Sequence, residues 1–194
     1  MTAKDKKKWD ARYLKKRGST DPALILTKFW TLAPVGNALD IACGNGRNSI
    51  FLADNGFAVD AVDISTVATD HLAGKNPDIH VICADLDTWN IPRNRYDLIV
   101  NLRFLDRRLF PMIQEGLKPG GVLIFESFMD GKKDEYCLKP NELLGVFQAF
   151  RIVYYEEKKA NHSEKYDQTA SLVAIRQASS IGEVEVRFPD AKSN

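Results

Sequence analysis

Four polar residues close or interrupt successive apolar runs between residues 38 and 102. Asp40 follows "AL", Asp63 ends "AVDAVD", Asp85 follows "IHVICA", and Asn101 interrupts "LIVNL". Between the first two lies Ala42-Cys43-Gly44-Asn45-Gly46, a G-x-G pair ahead of a polar stretch. An apolar run that stops at such a loop reads as a strand feeding a helix. Gly44 and Gly46 let the backbone approach a ligand closely, and the following helix turns its free N–H groups and positive dipole end toward the loop.

Two ligand classes fit a loop of this kind. A dinucleotide would place its pyrophosphate there and calls for G-x-G-x-x-G. No third glycine follows Gly46, and Asn48 is read as the residue that denies the tight helix packing a dinucleotide fold requires. Asp40 also argues against a pyrophosphate, which its carboxylate would repel, and for an ammonium or sulfonium, which it would attract. On this reading the backbone of Cys43, Gly44 and Gly46 flanks an amino-acid tail together with Asp40. Asp63, with the backbone of Ile64, accepts hydrogen bonds from ribose hydroxyls, and Asp85 with the backbone of Leu86 meets the edge of an adenine. Any one of these aspartates is adequately explained as a turn former or helix cap. Their recurrence at successive strand ends is not.

The elements that must position them alternate in type. Strands are read over 38–43, 57–65, 79–85, 95–102 and 121–128. Helices are read over 24–33, 47–56, 66–76 and 107–121, the last closed by a Lys-Pro-Gly-Gly turn, and over 141–150, capped by Asn141. Ser65 or Thr66 caps the helix at 66. Segments 150–158 and 169–177 read as an antiparallel pair. Alternating β and α with near-continuous Val/Ile/Leu strands predicts an α/β fold, a single doubly wound, mostly parallel sheet with helices on both faces. Ligands of such sheets bind at the carboxyl ends of the strands, near the point where strand order reverses. We expect three parts: a helical extension or lid over 1–33, the ligand-binding domain over 34–178 and a tail over 179–194.

Composition narrows the function classes. The 194 residues carry 27 Lys/Arg against 26 Asp/Glu, so no global field points to nucleic acid or an anionic membrane. Positive charge is concentrated at 1–17, which holds eight Lys/Arg and two Asp together with Trp9 and Tyr13. No secretory or membrane-spanning run is read. Cys43, Cys83 and Cys137 form neither a disulfide framework nor a metal-ligand spacing, so we expect no metal and a reducing, cytoplasmic setting.

The segments "LDIACGNG", "AVDIS", "CADLDTW", "YDLIVNLRFL" and "LKPGGVLIFESF" resemble the class I S-adenosylmethionine-dependent methyltransferases. "CGNGRNSIFLADNGFAVDAVDIS" and "ELLGVFQAFRIVYYEE" are most similar to the tellurite-resistance (TehB-like) branch. The resemblance implies a Rossmann-like sheet of seven strands with the last antiparallel, S-adenosyl-L-methionine as cofactor and S-adenosyl-L-homocysteine as product. It implies that Trp9 and Tyr13 pack over the methionine end of the cofactor. Ala42 stands where that family's signature has its first glycine, an exchange that a negative φ accommodates. His162, in the loop between the last two strands, is followed by Ser163, a departure from the basic neighbour of the tellurite branch.

On the acceptor side the sequence offers "NLRFLDRR". We expect Arg103 to hold a small, anionic or soft-nucleophile acceptor such as a thiol or chalcogen oxyanion, and His162 to close over it. Such an acceptor needs no strong general base. The partner is then a small molecule rather than nucleic acid or membrane, and the protein a monomer or weak homodimer. The alternatives are an RNA methyltransferase using the basic N-terminal arm, a binding module without catalysis, and an NAD(P)-dependent oxidoreductase.

Overall fold

In the computed structural model, residues 3–15, 18–129, 136–159 and 168–178 are described. The chain runs α1 (Ala3–Lys15), α2 (Leu24–Phe29), a 3-10 turn (Trp30–Leu32), β1 (Asn37–Ile41), α3 (Arg47–Asp54), β2 (Ala58–Asp63), α4 (Thr66–Leu72) and β3 (Ile79–Cys83). It continues with β4 (Tyr96–Leu102), α5 (Leu109–Gly116), β5 (Leu117–Phe128), α6 (Glu142–Val146), β6 (Phe150–Lys159) and β7 (Gln168–Arg176). No helix among the described residues is long and apolar enough to cross a membrane.

The seven strands lie in the order β3-β2-β1-β4-β5-β7-β6. β1 pairs in parallel with β2 on one side and β4 on the other, so strand order reverses at β1/β4. β7 runs antiparallel between β5 and β6. This is the doubly wound sheet that the alternation implied, with the antiparallel last strand that the family resemblance implied.

Period-two alternation sorts the strands onto two cores. Ile41, Ile99 and Phe125 face one side, where Ile113 of α5, Leu143 of α6 and the ring of Phe147 cover them. Ala38, Leu98, Val100 and Ile124 face the other, beneath Leu26 of α2, Leu52 of α3 and Leu72 of α4. Asp40, Asp63 and Asn101 stand at or next to the carboxyl ends of β1, β2 and β4 and are buried there.

Three local expectations are corrected. The Lys-Pro-Gly-Gly stretch is not a closing turn but the start of β5: Leu117 already pairs with Tyr96, and an irregularity follows before Val122 meets Leu98. Asn141 sits at the start of α6 but makes no side-chain cap. It holds a left-handed φ of 59°, and its N–H donates to Glu157 (2.7 Å) instead. The helix read over 24–33 ends at Phe29 and tightens into the 3-10 turn before Pro34. Ser65, by contrast, caps α4 as expected, accepting from the Ala68 N–H at 3.3 Å.

Candidate active site

The loop between β1 and α3 is wound tightly. Ala42, Gly44 and Gly46 all take left-handed φ values, of 54°, 59° and 76°. For glycine this is free, but for Ala42 it is strained, so the expected negative φ does not occur. The Cys43 N–H donates to the Val62 carbonyl (3.0 Å), and the Gly46 N–H to the Cys43 carbonyl (3.0 Å). A Cβ on Gly44 would lie 2.6 Å from the Tyr13 hydroxyl, and one on Gly46 would lie 2.3 Å from Leu72 Cδ1. At either position a side chain would have to push its neighbour aside and hold a strained φ.

Asp63 pins this loop. One of its oxygens accepts from the Gly44 N–H at 2.9 Å and the other from the Ser65 N–H at 2.8 Å. Burial pushes its pKa up, and these backbone donors pull against the rise. With the Ile64 backbone bearing on it as well, three donors meet about four acceptor positions, which leaves capacity for one ligand hydroxyl. Asp40 lies deeper, essentially inaccessible, and accepts from Ser49 Oγ at 2.7 Å. Burial raises its pKa to about 7. Asn48 does not obstruct helix packing: it is itself buried, and its Oδ1 accepts from the Ala23 N–H (3.0 Å). The small residue that lets α3 approach the sheet is Ser49, fully buried one position later. Cys43 is buried with its thiol pKa pushed well up, first by burial and then by Asp40 and Asp63, which makes it a poor nucleophile.

Helix α1 covers the loop. Trp9 and Tyr13 stack at 6.0 Å, and Tyr13 carries the hydroxyl set against Gly44. Burial, and then the charge of Asp63, raises the pKa of that phenol. Asp10, which sequence reading missed, docks the helix: it accepts from Ser65 Oγ at 2.6 Å and from the Val67 N–H at 3.4 Å. The hydrogen bond from Ser65 is the main reason its pKa is lowered.

Asp85 spends one carboxylate oxygen on the Asp87 N–H (2.9 Å) and its carbonyl on the turn to Trp89 (2.9 Å), so it shapes the loop after β3. The side chain of Leu86 is buried in the core. Asn101, also buried, donates to the Phe104 carbonyl at 3.0 Å. Its Oδ1 has no partner among the described residues. Ile64 follows Asp63 in the same buried corner. His162 lies outside the described residues.

The three arginines after β4 separate clearly. Arg107 makes a two-pronged pair with Glu142 (2.6 and 2.9 Å), and Arg108 pairs with Asp106 and Asp87. Arg103 stays loose, with Nε 3.8 Å from Glu126. The carboxyl edge of β1, β2 and β4 thus gathers Tyr13, Asp40, Gly44, Asp63, Asn101 and Arg103, with Trp9 stacked on Tyr13.

Residues 38–121 match the family model of the methyltransferase domain. The chain is 28% identical over 129 residues to a phosphoethanolamine N-methyltransferase of Triticum aestivum, which covers 61% of this chain and 24% of that protein. It is 34% identical over 106 residues to the ribosomal RNA small subunit methyltransferase C of Alcanivorax borkumensis, covering 47% of this chain and 32% of that one. It therefore spans about a quarter to a third of the length of these curated relatives. The crystal structure of TehB from Haemophilus influenzae superposes with a TM-score of 0.69 at 21% identity, over 87% of this chain and 67% of that one. Residues 38–121 thus match the methyltransferase domain, and the sheet has the Rossmann-like fold of a class of structures that includes an S-adenosylmethionine-dependent methyltransferase from Mesorhizobium loti.

The residues present fit the cofactor of that class. The glycine loop takes left-handed φ values that disfavour any Cβ, Asp63 retains acceptor capacity beside it, and Tyr13 closes its outer side.

Proposed function

We propose that this chain transfers a methyl group from S-adenosylmethionine to a small, electron-rich or anionic acceptor. The observation that carries the reading is the glycine loop pinned by Asp63 and covered by Tyr13 at the strand-order reversal. The cofactor supplies an activated methyl on a positively charged sulfur. The chain's share is positioning and exclusion of water. Asp63 would receive a ribose hydroxyl, Asp85 and Leu86 would border the base, and the loop with Asp40 and Asn101 would border the amino-acid tail. α1 would serve as the lid. Arg103 would meet the acceptor, and His162 would close over it. No disulfide joins Cys43, Cys83 or Cys137 among the described residues, and a reducing, cytoplasmic setting is part of this proposal.

A thermal-shift series with S-adenosylmethionine, S-adenosylhomocysteine, NADH and NADPH tests this. A ligand at a hundredfold its Kd adds about 2.7 kcal/mol, or roughly 5–10 °C for a domain of this size. The expected result is a shift with the two adenosyl sulfur compounds that Asp63→Ala abolishes. A shift with a nicotinamide alone sinks the reading.

RNA as acceptor is the second reading. It is favoured by the exposed Lys4, Lys7, Lys8, Arg12 and Lys15 of α1, and the ribosomal RNA methyltransferase above bears a name of that kind. Salt-sensitive retention of RNA would support it.

A further inference from the structure

We propose that α1 acts as a splint that sets the orientation of Asp63, with Ser65 as the positioning residue that links the two. The splint rests on the methyltransferase reading above, in which Asp63 receives the cofactor's ribose.

Asp63 is held by N–H groups from two different elements. The Gly44 N–H, in the loop after β1, donates to one oxygen at 2.9 Å, and the Ser65 N–H, at the start of α4, donates to the other at 2.8 Å. The Ile64 backbone also bears on the carboxylate, but as its chain neighbour it moves with it. The plane of the carboxylate is therefore fixed only while the glycine loop and the start of α4 keep their spacing.

One face of α1 touches both elements. Asp10 and Tyr13 stand three residues apart, and side chains at that spacing are neighbours on a helix, about 5–6 Å apart. Asp10 accepts from Ser65 Oγ at 2.6 Å, and the Tyr13 hydroxyl lies so close over Gly44 that a Cβ there would meet it at 2.6 Å. Ser65 has every polar group engaged. Its N–H is on Asp63, its hydroxyl hydrogen is on Asp10, its hydroxyl oxygen accepts from the Ala68 N–H (3.3 Å), and its carbonyl accepts from the Thr69 N–H (3.1 Å). Capping α4 needs only the hydroxyl oxygen. The hydrogen given to Asp10 adds nothing to the cap, and its use is to tie α1 to the residue whose N–H holds Asp63.

The splint is anchored on either side. Lys6 donates to Thr66 Oγ1 at 2.9 Å, next to Ser65. Beyond α1, residues 19–23 are strapped to the residues that follow Gly44. Asn45 Nδ2 donates to the Ser19 carbonyl (2.8 Å), Arg47 Nη1 donates to the Asp21 carbonyl (2.8 Å), and Asn48 Oδ1 accepts from the Ala23 N–H (3.0 Å). The amino-terminal segment thus bridges the two elements that donate to Asp63. Docking of α1 and binding of a ligand on Asp63 then favour each other by the same factor.

The test uses the whole chain. S-Adenosylhomocysteine is titrated by calorimetry at 25 °C into the parent, Ser65→Ala, Asp10→Ala and the double variant. Ser65→Ala removes the hydroxyl and keeps the N–H on Asp63. Each single variant should weaken binding about fivefold, and the double variant should bind no more weakly than Ser65→Ala, because both act through one bond. Amide exchange is followed with and without the ligand. The ligand should slow exchange over 3–15 in the parent and leave it unchanged in Ser65→Ala. If Ser65 only caps α4, Ser65→Ala melts lower but keeps both the parental affinity and the ligand's protection of α1, and the splint is overturned. Effects of the two substitutions that simply add overturn it as well. Should Ser65→Ala not fold, Asp10→Ala, on the half-buried surface of α1, decides alone: parental affinity and parental protection in that variant overturn the splint. A parent that does not bind S-adenosylhomocysteine is a separate outcome, which removes the methyltransferase reading of Asp63 and the splint's role with it.

Discussion

Asp40 shows how one side chain ties the site to stability. Wholly buried against Ser49, its carboxyl titrates near 7, whereas in the unfolded chain it would titrate near the ordinary value of about 3.9. Between those pH values the folded state holds the extra proton. Its contribution to stability is therefore complete below about pH 4 and is lost as pH rises through 7. Asp63, also raised by burial, acts in the same direction. Asp40→Asn keeps an acceptor for Ser49 and removes the titration. By scanning calorimetry the variant should melt above the parent by about 5 °C at pH 8, with the gap closing toward pH 5. A constant gap across that range would show that burial does not govern this carboxyl. Residue types at strand ends were legible in the sequence, but their working partners were not. Ser49 is nine residues from Asp40, and only the turn of α3 brings its hydroxyl down. Arg47 went unread because nothing in "GNGRNS" tells whether the first helical side chain turns to solvent or to the Asp21 carbonyl, which it meets at 2.8 Å. Its place directly after Gly46 was the available signal.

At the scale of elements, α1 is the segment whose stability is least its own. Thirteen residues of strongly basic sequence make a marginal helix in isolation. It is held by Asp10, which completes the N-terminal cap of α4 across 55 positions of sequence, and by Lys6 on Thr66 Oγ1 (2.9 Å). The i,i+4 spacing of Trp9 and Tyr13 was readable as one helical face, whereas the long-range cap was not, since its partner lies beyond two strands. Similarly, β1, β2 and β4 were legible from their apolar runs, while Leu117–Gly121 was misread because Pro and Gly there mark an irregular strand start rather than a turn. Asp10→Ala should release α1. Amide exchange should then quicken over 3–15 and the first turn of α4 only, at a cost of about 1 kcal/mol, and S-adenosylhomocysteine should bind more weakly because Tyr13 no longer closes over Gly44. Unchanged exchange in α1 would mean that aromatic packing alone holds the helix.

For the whole molecule, the parallel sheet separates the work of its two ends. Asp60 and Asp63 stand three residues apart on β2, about 10 Å along the strand and on opposite faces. Toward the amino ends, Asp60 accepts from the fully buried Tyr96 hydroxyl (2.8 Å), from Arg95 Nε (3.1 Å) and from His80 (3.0 Å), stitching β2, β3 and β4 together. At the carboxyl end, Asp63 holds the loop that defines the candidate site. Removing Asp60 strands a buried hydroxyl and a guanidinium without touching the loop, so Asp60→Ala should cost about 1–3 kcal/mol of stability and leave the Kd for S-adenosylhomocysteine within about twofold at 25 °C, where the domain remains folded. Asp63→Ala should do the reverse, weakening that binding by more than about tenfold with a smaller effect on melting. Calorimetric titration and thermal unfolding of both variants decide it. If Asp60→Ala weakens the ligand as much as Asp63→Ala does, the two ends are coupled through β2, and the division of labour between stability and site along this strand is wrong.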